Sequence, residues 1–313
     1  MESLLFVPLV RASKWIRDIL PSKSLAELPV AGRRFVDYGL EMAQRAKATL
    51  LEVLDWSWSE HLAKEFSSPT CTGNALFYEK GTGPLPRGLD DLGGLDTPLT
   101  QSISDGLVVV WGLCMPLDAA LVESDPLTVE ECADTPQGIY RRKDGSWRRL
   151  MRGRGGVSSV CDIKSWYELN FTVLHAPDAF TLPGYSAETD VHLGRNVVLE
   201  HGVDVKPPVL LQDNVWCARN VHFEGDVIVG SGTFIAEGAT LRRTVVCSNT
   251  YIGAGLELDG KIVAGNRIID AETGVWTDVE DEGIARRIRR FDGMGWLRAL
   301  WRFLLGRSRG RRY

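Results

Sequence analysis

The sequence predicts an α/β domain, then a parallel β-helix of about three coils, then a short C-terminal helix. Three observations predict it. Apolar runs alternate with helical stretches as far as Asn170, a strict period of six begins at Leu193, and a Trp-, Leu- and Arg-rich stretch lies near the end.

Residues 4–10 form an apolar run that reads as a strand. Residues 34–47 have helical spacing, 49–55 read as a strand, 59–66 as a helix and 75–79 as a strand. The run 106–112 is apolar without alternation and reads as a buried strand. Strand and helix in alternation imply a mostly parallel sheet covered by helices. Residues 81–96, dense in Gly, Pro and Asp, are expected to form a long loop or a remodelled segment.

In the repeat, Leu193, Leu199, Val205, Leu211, Cys217, Phe223, Val229, Ile235, Leu241 and Cys247 stand six apart. Four residues after each come Val197, Val203, Val209, Val215, Val221, Val227, Thr233, Ala239, Val245 and Tyr251. A continuous helix needs apolar spacing near 3.6 and a continuous strand near 2, so a period of six fits short strands joined at corners. The pattern resembles the hexapeptide-repeat family, in which three hexads make one triangular coil of a left-handed β-helix and the first position of each points inward. Gly194, Asn196, Gly202, Asn214, Gly230, Gly232 and Gly238 lie between the apolar positions, where corners demand unusual dihedrals.

The tail, 283–313, holds ten arginines against one acid, Asp292, for +9, while the rest of the chain carries −14. Trp296, Leu297, Leu300, Trp301, Phe303, Leu304 and Leu305 share a broad helical face opposite Arg298 and Arg302. That composition suits an interfacial helix at an anionic membrane surface, or a helix docked on the protein itself. The six cysteines form no CxxC pair and no cluster with histidine, which argues against a zinc site or a disulfide framework and for a reducing cytoplasm. The run 4–10 is short, broken by Pro8 and preceded by Glu2, so neither a secretory signal nor a membrane span is expected there.

Leu28-Pro29-Val30-Ala31-Gly32-Arg33, followed by Phe35-Val36-Asp37-Tyr38, resembles the LPVAGRPLIDY pattern of sugar-1-phosphate nucleotidyltransferases. The stretch from Asp162 to Asn170 is similar to that family's DIGTPEDYLKAN, and residues 239–268 resemble its closing coils. The resemblance implies a Rossmann-like nucleotidyltransferase-type domain over 1–180, a left-handed β-helix over 185–270 and the basic tail over 283–313. It also implies a protein of a nucleotide-sugar or polysaccharide pathway; the cysteines place it in the cytoplasm, and the tail makes it peripheral to the inner membrane face where it binds lipid. Its partners would be a nucleotide or nucleotide sugar, a second copy or catalytic relative, and the membrane, with no nucleic acid.

The departures bear on activity. The family's GGxGTRL loop cradles phosphates with bare backbone amides, but here the first strand runs into Val10-Arg11-Ala12-Ser13-Lys14-Trp15, with no glycine before Gly32. The family's lysine falls on Leu25 without a gap, and Lys23 fills its role only across an insertion. The Gly-Asp pair that holds Mg²⁺ falls on Gly112-Leu113, leaving Asp162 as the one counterpart of the two metal carboxylates. An active enzyme would join a sugar 1-phosphate to a nucleoside triphosphate with Mg²⁺ on Asp162 and phosphates on Lys23 or Arg33. Arg11, Lys14, Gly32 and Gly112 would line the nucleotide site. Phosphoryl transfer depends on positioning and charge neutralisation, so these losses predict weakened or lost catalysis. The alternatives are a regulatory or scaffolding subunit, and a hexapeptide acyltransferase with His192, His201 or His222 as base, although the hexads show no projecting loop. Asp162 also suits a helix cap ahead of Ser165.

Overall fold

A computed structural model describes residues 3–8, 24–45, 47–48, 50–57, 59–66, 75–82, 84–94, 105–116, 121–133, 137–152, 157–188 and 190–288. The chain is α/β, mostly sheet with few helices, and divides into two compact units, Met1–Leu182 and Pro183–Tyr313.

The strands of the first unit are β1 Ser3–Val7, β2 Pro29–Val30, β3 Arg33–Arg34, β4 Leu50–Asp55, β5 Ala75–Lys80, β6 Leu107–Trp111, β7 Cys114–Pro116, β8 Leu121–Pro126, β9 Gly138–Lys143, β10 Ser146–Arg152 and β11 Val157–Ser159. Its α-helices are α1 Phe35–Arg45, α2 Glu60–Phe66, α3 Val129–Ala133 and α4 Ile163–Leu174. One seven-stranded sheet runs β5-β4-β1-β6-β9-β10-β8. Its strands β5, β4, β1 and β6 are mutually parallel, and β9 turns antiparallel against β6. All five residues of β6 are buried, as expected of a central strand covered on both faces.

On one face Leu5, Val7, Leu54, Val109, Trp111, Tyr140 and Trp147 form a core with Leu89 and Leu92 from the 3₁₀ turn Leu89–Gly94, so part of the expected long loop is packed inside. On the other face Phe6 stacks on Phe35 of α1 at 5.8 Å. Gly39 of α1 lies beside Phe6, where an added Cβ would stand 3.8 Å from the ring. The β9–β10 hairpin closes on Asp144-Gly145, both at positive φ, the conformation two-residue hairpins prefer.

In the second unit short strands visit three sheets in turn. Each lies parallel to the strand three hexads earlier: Leu193, Leu199 and Val205 pair with Leu211, Cys217 and Phe223, and these with Val229, Ile235 and Leu241. The arrangement is compatible with a β-helix. From Leu211 to Leu241 every first-position side chain is fully buried, and together they form one continuous core.

The tenth hexad departs from arithmetic. Val229 pairs with Val246, not Cys247, and from there the offset falls one short of three hexads, with Ile235 beside Ile252 and Leu241 beside Leu258. The cause is one corner, where a pair of residues, Pro207-Pro208 and then Gly225-Asp226, separates successive strands in the earlier repeats. Only Arg243, and one repeat later Gly260, fills it afterwards. Both sit in the left-handed region, at φ 42 and 64. Thr244 and Thr250 therefore line the core in place of Val245 and Tyr251, and both are fully buried. The Thr244 hydroxyl lies between the carbonyls of Arg242 and Leu258, at 2.7 and 3.1 Å, while Thr250 Oγ1 accepts from the Gly265 N–H at 3.0 Å. The polar atoms are thereby satisfied inside an aliphatic column.

The stack ends in antiparallel pairing. Lys261–Ala264, Arg267–Asp270 and Trp276–Asp278 form a meander, and Ala285–Arg287 returns antiparallel to Thr250–Ile252. Ala285 is fully buried in the core, and the Ile288 N–H donates to the Asn249 carbonyl at 2.6 Å. The unit thus runs past the expected boundary at 270 and takes in the start of the segment expected as a tail from 283. Among the described residues no helix is long and apolar enough to cross a membrane. The amphipathic stretch 296–305 lies outside the described residues.

Candidate functional site

The strand order β5-β4-β1-β6 places a topological switch between β1 and β6, because the chain leaves β1 toward β4 on one side and returns to β6 on the other. Ligands of such sheets bind beyond the carboxyl ends of the strands at that point. Here the Gly112 N–H donates to the Val7 carbonyl at 2.8 Å, closing the two strand ends on each other. Gly112 has φ 83, and a Cβ added there would stand 2.6 Å from Gln137 Cγ. The hollow that a glycine opens for a phosphate is filled by the protein's own glutamine, whose Nε2 donates to the Val160 carbonyl at 3.3 Å.

The two segments that resemble nucleotidyltransferase motifs meet. Residues 29–34 form the β2–β3 hairpin, with Ala31 and Gly32 at φ 40 and 81 in its turn. Trp166 of α4 donates its indole N–H to the Pro29 carbonyl at 2.7 Å, and the Asn170 side chain accepts from the Ala31 N–H at 2.7 Å. Trp166 and Asn170 lie one turn apart on α4, and the Asn170 amide is itself held by the Trp166 carbonyl at 2.8 Å.

Arg33 is fully engaged at the foot of this hairpin. Its guanidinium donates to Glu41 at 2.7 Å and to the Thr181 carbonyl at 2.8 Å, and stands 4.9 Å above the Tyr38 ring. Burial alone would raise the Glu41 carboxyl, but hydrogen bonds from Arg33 and Thr181 and the charges of Arg33 and Arg45 outweigh it and hold it below the usual range. Arg33 thus braces the hairpin against the helix, and Gly32 lies in the turn. Arg11, Lys14 and Lys23 lie outside the described residues.

Asp162 is the N-cap of α4. Its Oδ1 accepts from the Ser165 N–H at 2.7 Å while the Ser165 hydroxyl lies 2.9 Å from the Asp162 N–H, a reciprocal capping pair. The Ser165 backbone bond, followed by its hydroxyl, lowers the Asp162 pKa. Leu113, where the resembled family carries a metal carboxylate, is fully buried, and its carbonyl accepts from the Val160 N–H at 2.9 Å. Topology therefore brings the strand end and the approach to Asp162 together, but the donors do not fit Mg²⁺. One carboxylate is occupied as a cap, the other position is a leucine, and no group of three metal-type side chains converges among the described residues.

Sequence reasoning missed one buried cluster. Asp55, at the carboxyl end of β4 and fully buried, accepts from the Ser24 hydroxyl at 2.6 Å, the Tyr78 hydroxyl at 2.9 Å and the Ser57 N–H at 2.8 Å. The Tyr78 hydroxyl also accepts from the Ser59 N–H at 2.9 Å, and burial raises its pKa. The only sequence signal was a carboxylate closing an otherwise apolar strand. The cluster bolts residue 24, where the chain enters the LPVAG segment, to two parallel strands.

The repeat's histidines stand in different surroundings. Burial lowers the His192 pKa, His201 is exposed, and His222 Nδ1 lies 3.9 Å from Asp204 on an outer face. Trp216, Phe234 and Tyr251 form an outer ladder with ring centroids 6.3 and 5.7 Å apart, closed by Arg286 at 4.7 Å over Tyr251. No family model matches the chain, and no curated protein matches it.

Proposed function

We propose that the chain is a catalytically silenced relative of the sugar-1-phosphate nucleotidyltransferases that binds a nucleotide sugar in a polysaccharide pathway and acts as a regulatory or scaffolding subunit. In this reading the first unit is a Rossmann-like nucleotidyltransferase-type domain and the second a left-handed parallel β-helix, working in the cytoplasm. One observation carries it: the scaffolding part of both motif segments is intact while the chemical part is replaced. Trp166 and Asn170 hold the hairpin. Leu113 stands fully buried where a metal carboxylate belongs, Gln137 fills the hollow above Gly112, and Asp162 caps a helix. Phosphoryl transfer without charge neutralisation loses most of its rate, whereas recognition of a base and a sugar rests on shape and hydrogen bonds.

The test is a thermal-shift series with nucleoside triphosphates and nucleotide sugars, with and without Mg²⁺, beside a pyrophosphate-release assay with sugar 1-phosphates. A ligand at 100 times its Kd stabilises the folded state by about 2.7 kcal/mol whether or not turnover survives. The expected result is a rise in Tm with a nucleotide sugar, independent of Mg²⁺, and no pyrophosphate. Mg²⁺-dependent turnover lost in Asp162→Ala would overturn the silenced reading, and no shift with any nucleotide would overturn the binding reading.

A further inference from the structure

Near the C-terminal end of the second unit three large apolar side chains are exposed beside a run of acidic residues. Val275 is 66% exposed, Trp276 55% and Ile284 40%. Residues 270–283 contain six acids and no basic residue. Asp270, Asp278 and Glu282 pair with Lys261, Arg267 and Arg286. Glu280 and Asp281 are exposed and make no ion pair among the described residues. Arg267 covers one face of the Trp276 ring at 5.4 Å.

The described chain ends beside this surface. A Cβ on Gly265, in the turn before Arg267, would stand 2.9 Å from Arg287 Cβ, so the chain leaves Ile288 close to the Arg267–Asp278 pair. Residues 289–313 carry eight arginines and one acid, with Trp296, Leu297, Leu300, Trp301 and Leu304 on one helical face. The connection 289–295, which includes Gly293 and Gly295, can span at most about 25 Å. That reach keeps the segment near the end of its own stack.

We propose that residues 296–305 dock as a helix on this end of their own unit, apolar face against Val275, Trp276 and Ile284, arginines against Glu280, Asp281 and their neighbours. Charge and hydrophobicity match in both respects, and the short connection gives the intramolecular partner a high effective concentration. So short a helix is marginal in water by itself, so order in this segment reports docking. The same face would serve an anionic membrane, and docking on the protein holds it back.

Hydrogen exchange on the full-length protein tests this. The amides of 296–305 should exchange at least tenfold more slowly than an unstructured chain. That protection should disappear both in Val275→Asp and in the double variant Glu280→Lys, Asp281→Lys, with the core strands unchanged as evidence of folding. Vesicles of phosphatidylglycerol and phosphatidylcholine at low salt should then retain both variants several-fold better than the parent. No protection in the parent in solution, protection that survives in either variant, or protection that arises in the parent only on vesicles would each overturn the proposal, the last in favour of a membrane helix.

Discussion

Val246→Asp tests the aliphatic column at the rung that follows the Arg243 corner. Unbroken hexads put Cys247 inward and Val246 on the side of Leu210 and Ile228, away from the column of Leu211 and Val229. In the structure Val246 is 1% exposed, between Val229 and Val263 in the aliphatic column. Losing the buried valine costs about 2 kcal/mol. The carboxyl then takes up a proton rather than stay charged, which at pH 7 costs at most about 4 kcal/mol for a group of ordinary pKa near 4. A neutral carboxyl without partners adds about 1–3 kcal/mol. The sum, about 8 kcal/mol, rivals the whole stability of a typical domain. Urea denaturation followed by far-UV circular dichroism should show the second unit unfolded or nearly so, while Val246→Ala loses about 2 kcal/mol. The pH dependence has a defined sign. The aspartate's folded pKa lies above its unfolded value, so its penalty is largest at neutral pH and shrinks as pH falls toward 4. A Val246→Asp midpoint within about 1 kcal/mol of the parent at pH 7, the ordinary effect of a surface change, would refute the burial of Val246 in that column.

Three further outcomes follow from the same contacts. Asp162→Ala should lower the stability of the first unit by about 1 kcal/mol through loss of the cap. Because the Asp162 pKa is lowered in the folded state, the parent's advantage should be present at neutral pH and fade as pH falls through that lowered value, as equilibrium denaturation at several pH values would reveal. Trp166→Phe strips the Pro29 carbonyl of its donor and should cost about 1–3 kcal/mol in a denaturant titration, with the hairpin amides of Ala31 to Arg33 exchanging faster. Truncation after Gly283 removes the buried Ala285 and its strand, and should drop the melting temperature of the second unit, whereas truncation after Ile288 keeps that strand and should lower it far less.

Much of this architecture was legible because local pattern and tertiary burial agree in it. The strands at Leu50–Asp55 and Leu107–Trp111 and the helix Phe35–Arg45 match their periodicity to within a residue or two. Nine hexads set the side chains that line the second unit. The tenth failed because a corner can drop one residue without changing the residue types around it: Thr244-Val245-Val246-Cys247 is compatible with either register, and only pairing with Val229 decides. The β9–β10 hairpin escaped notice because its arginines obscure the alternation, although Asp144-Gly145 was a usable turn signal. At the candidate site, the segment from Leu28 to Arg33 reads as chemistry in sequence and proves to be packing in space. Nothing local in the sequence says that Trp166 and Asn170 hold it, since that contact joins segments near opposite ends of the first unit.

The corner also determines how this protein can change in length. Between Val191 and Gly238 every rung holds three full hexads and hands its backbone bonds to an equivalent rung. Removing Val215 through Gly232 would join Asn214 to Thr233 with each neighbour replaced by its counterpart one storey along. Losing a single residue there would instead rotate every later side chain out of its column unless a corner absorbs it, as the one at Arg243 does. Growth and shrinkage of this unit are therefore quantised: whole storeys are interchangeable, and fractional ones are admitted only where a residue can hold a left-handed bend.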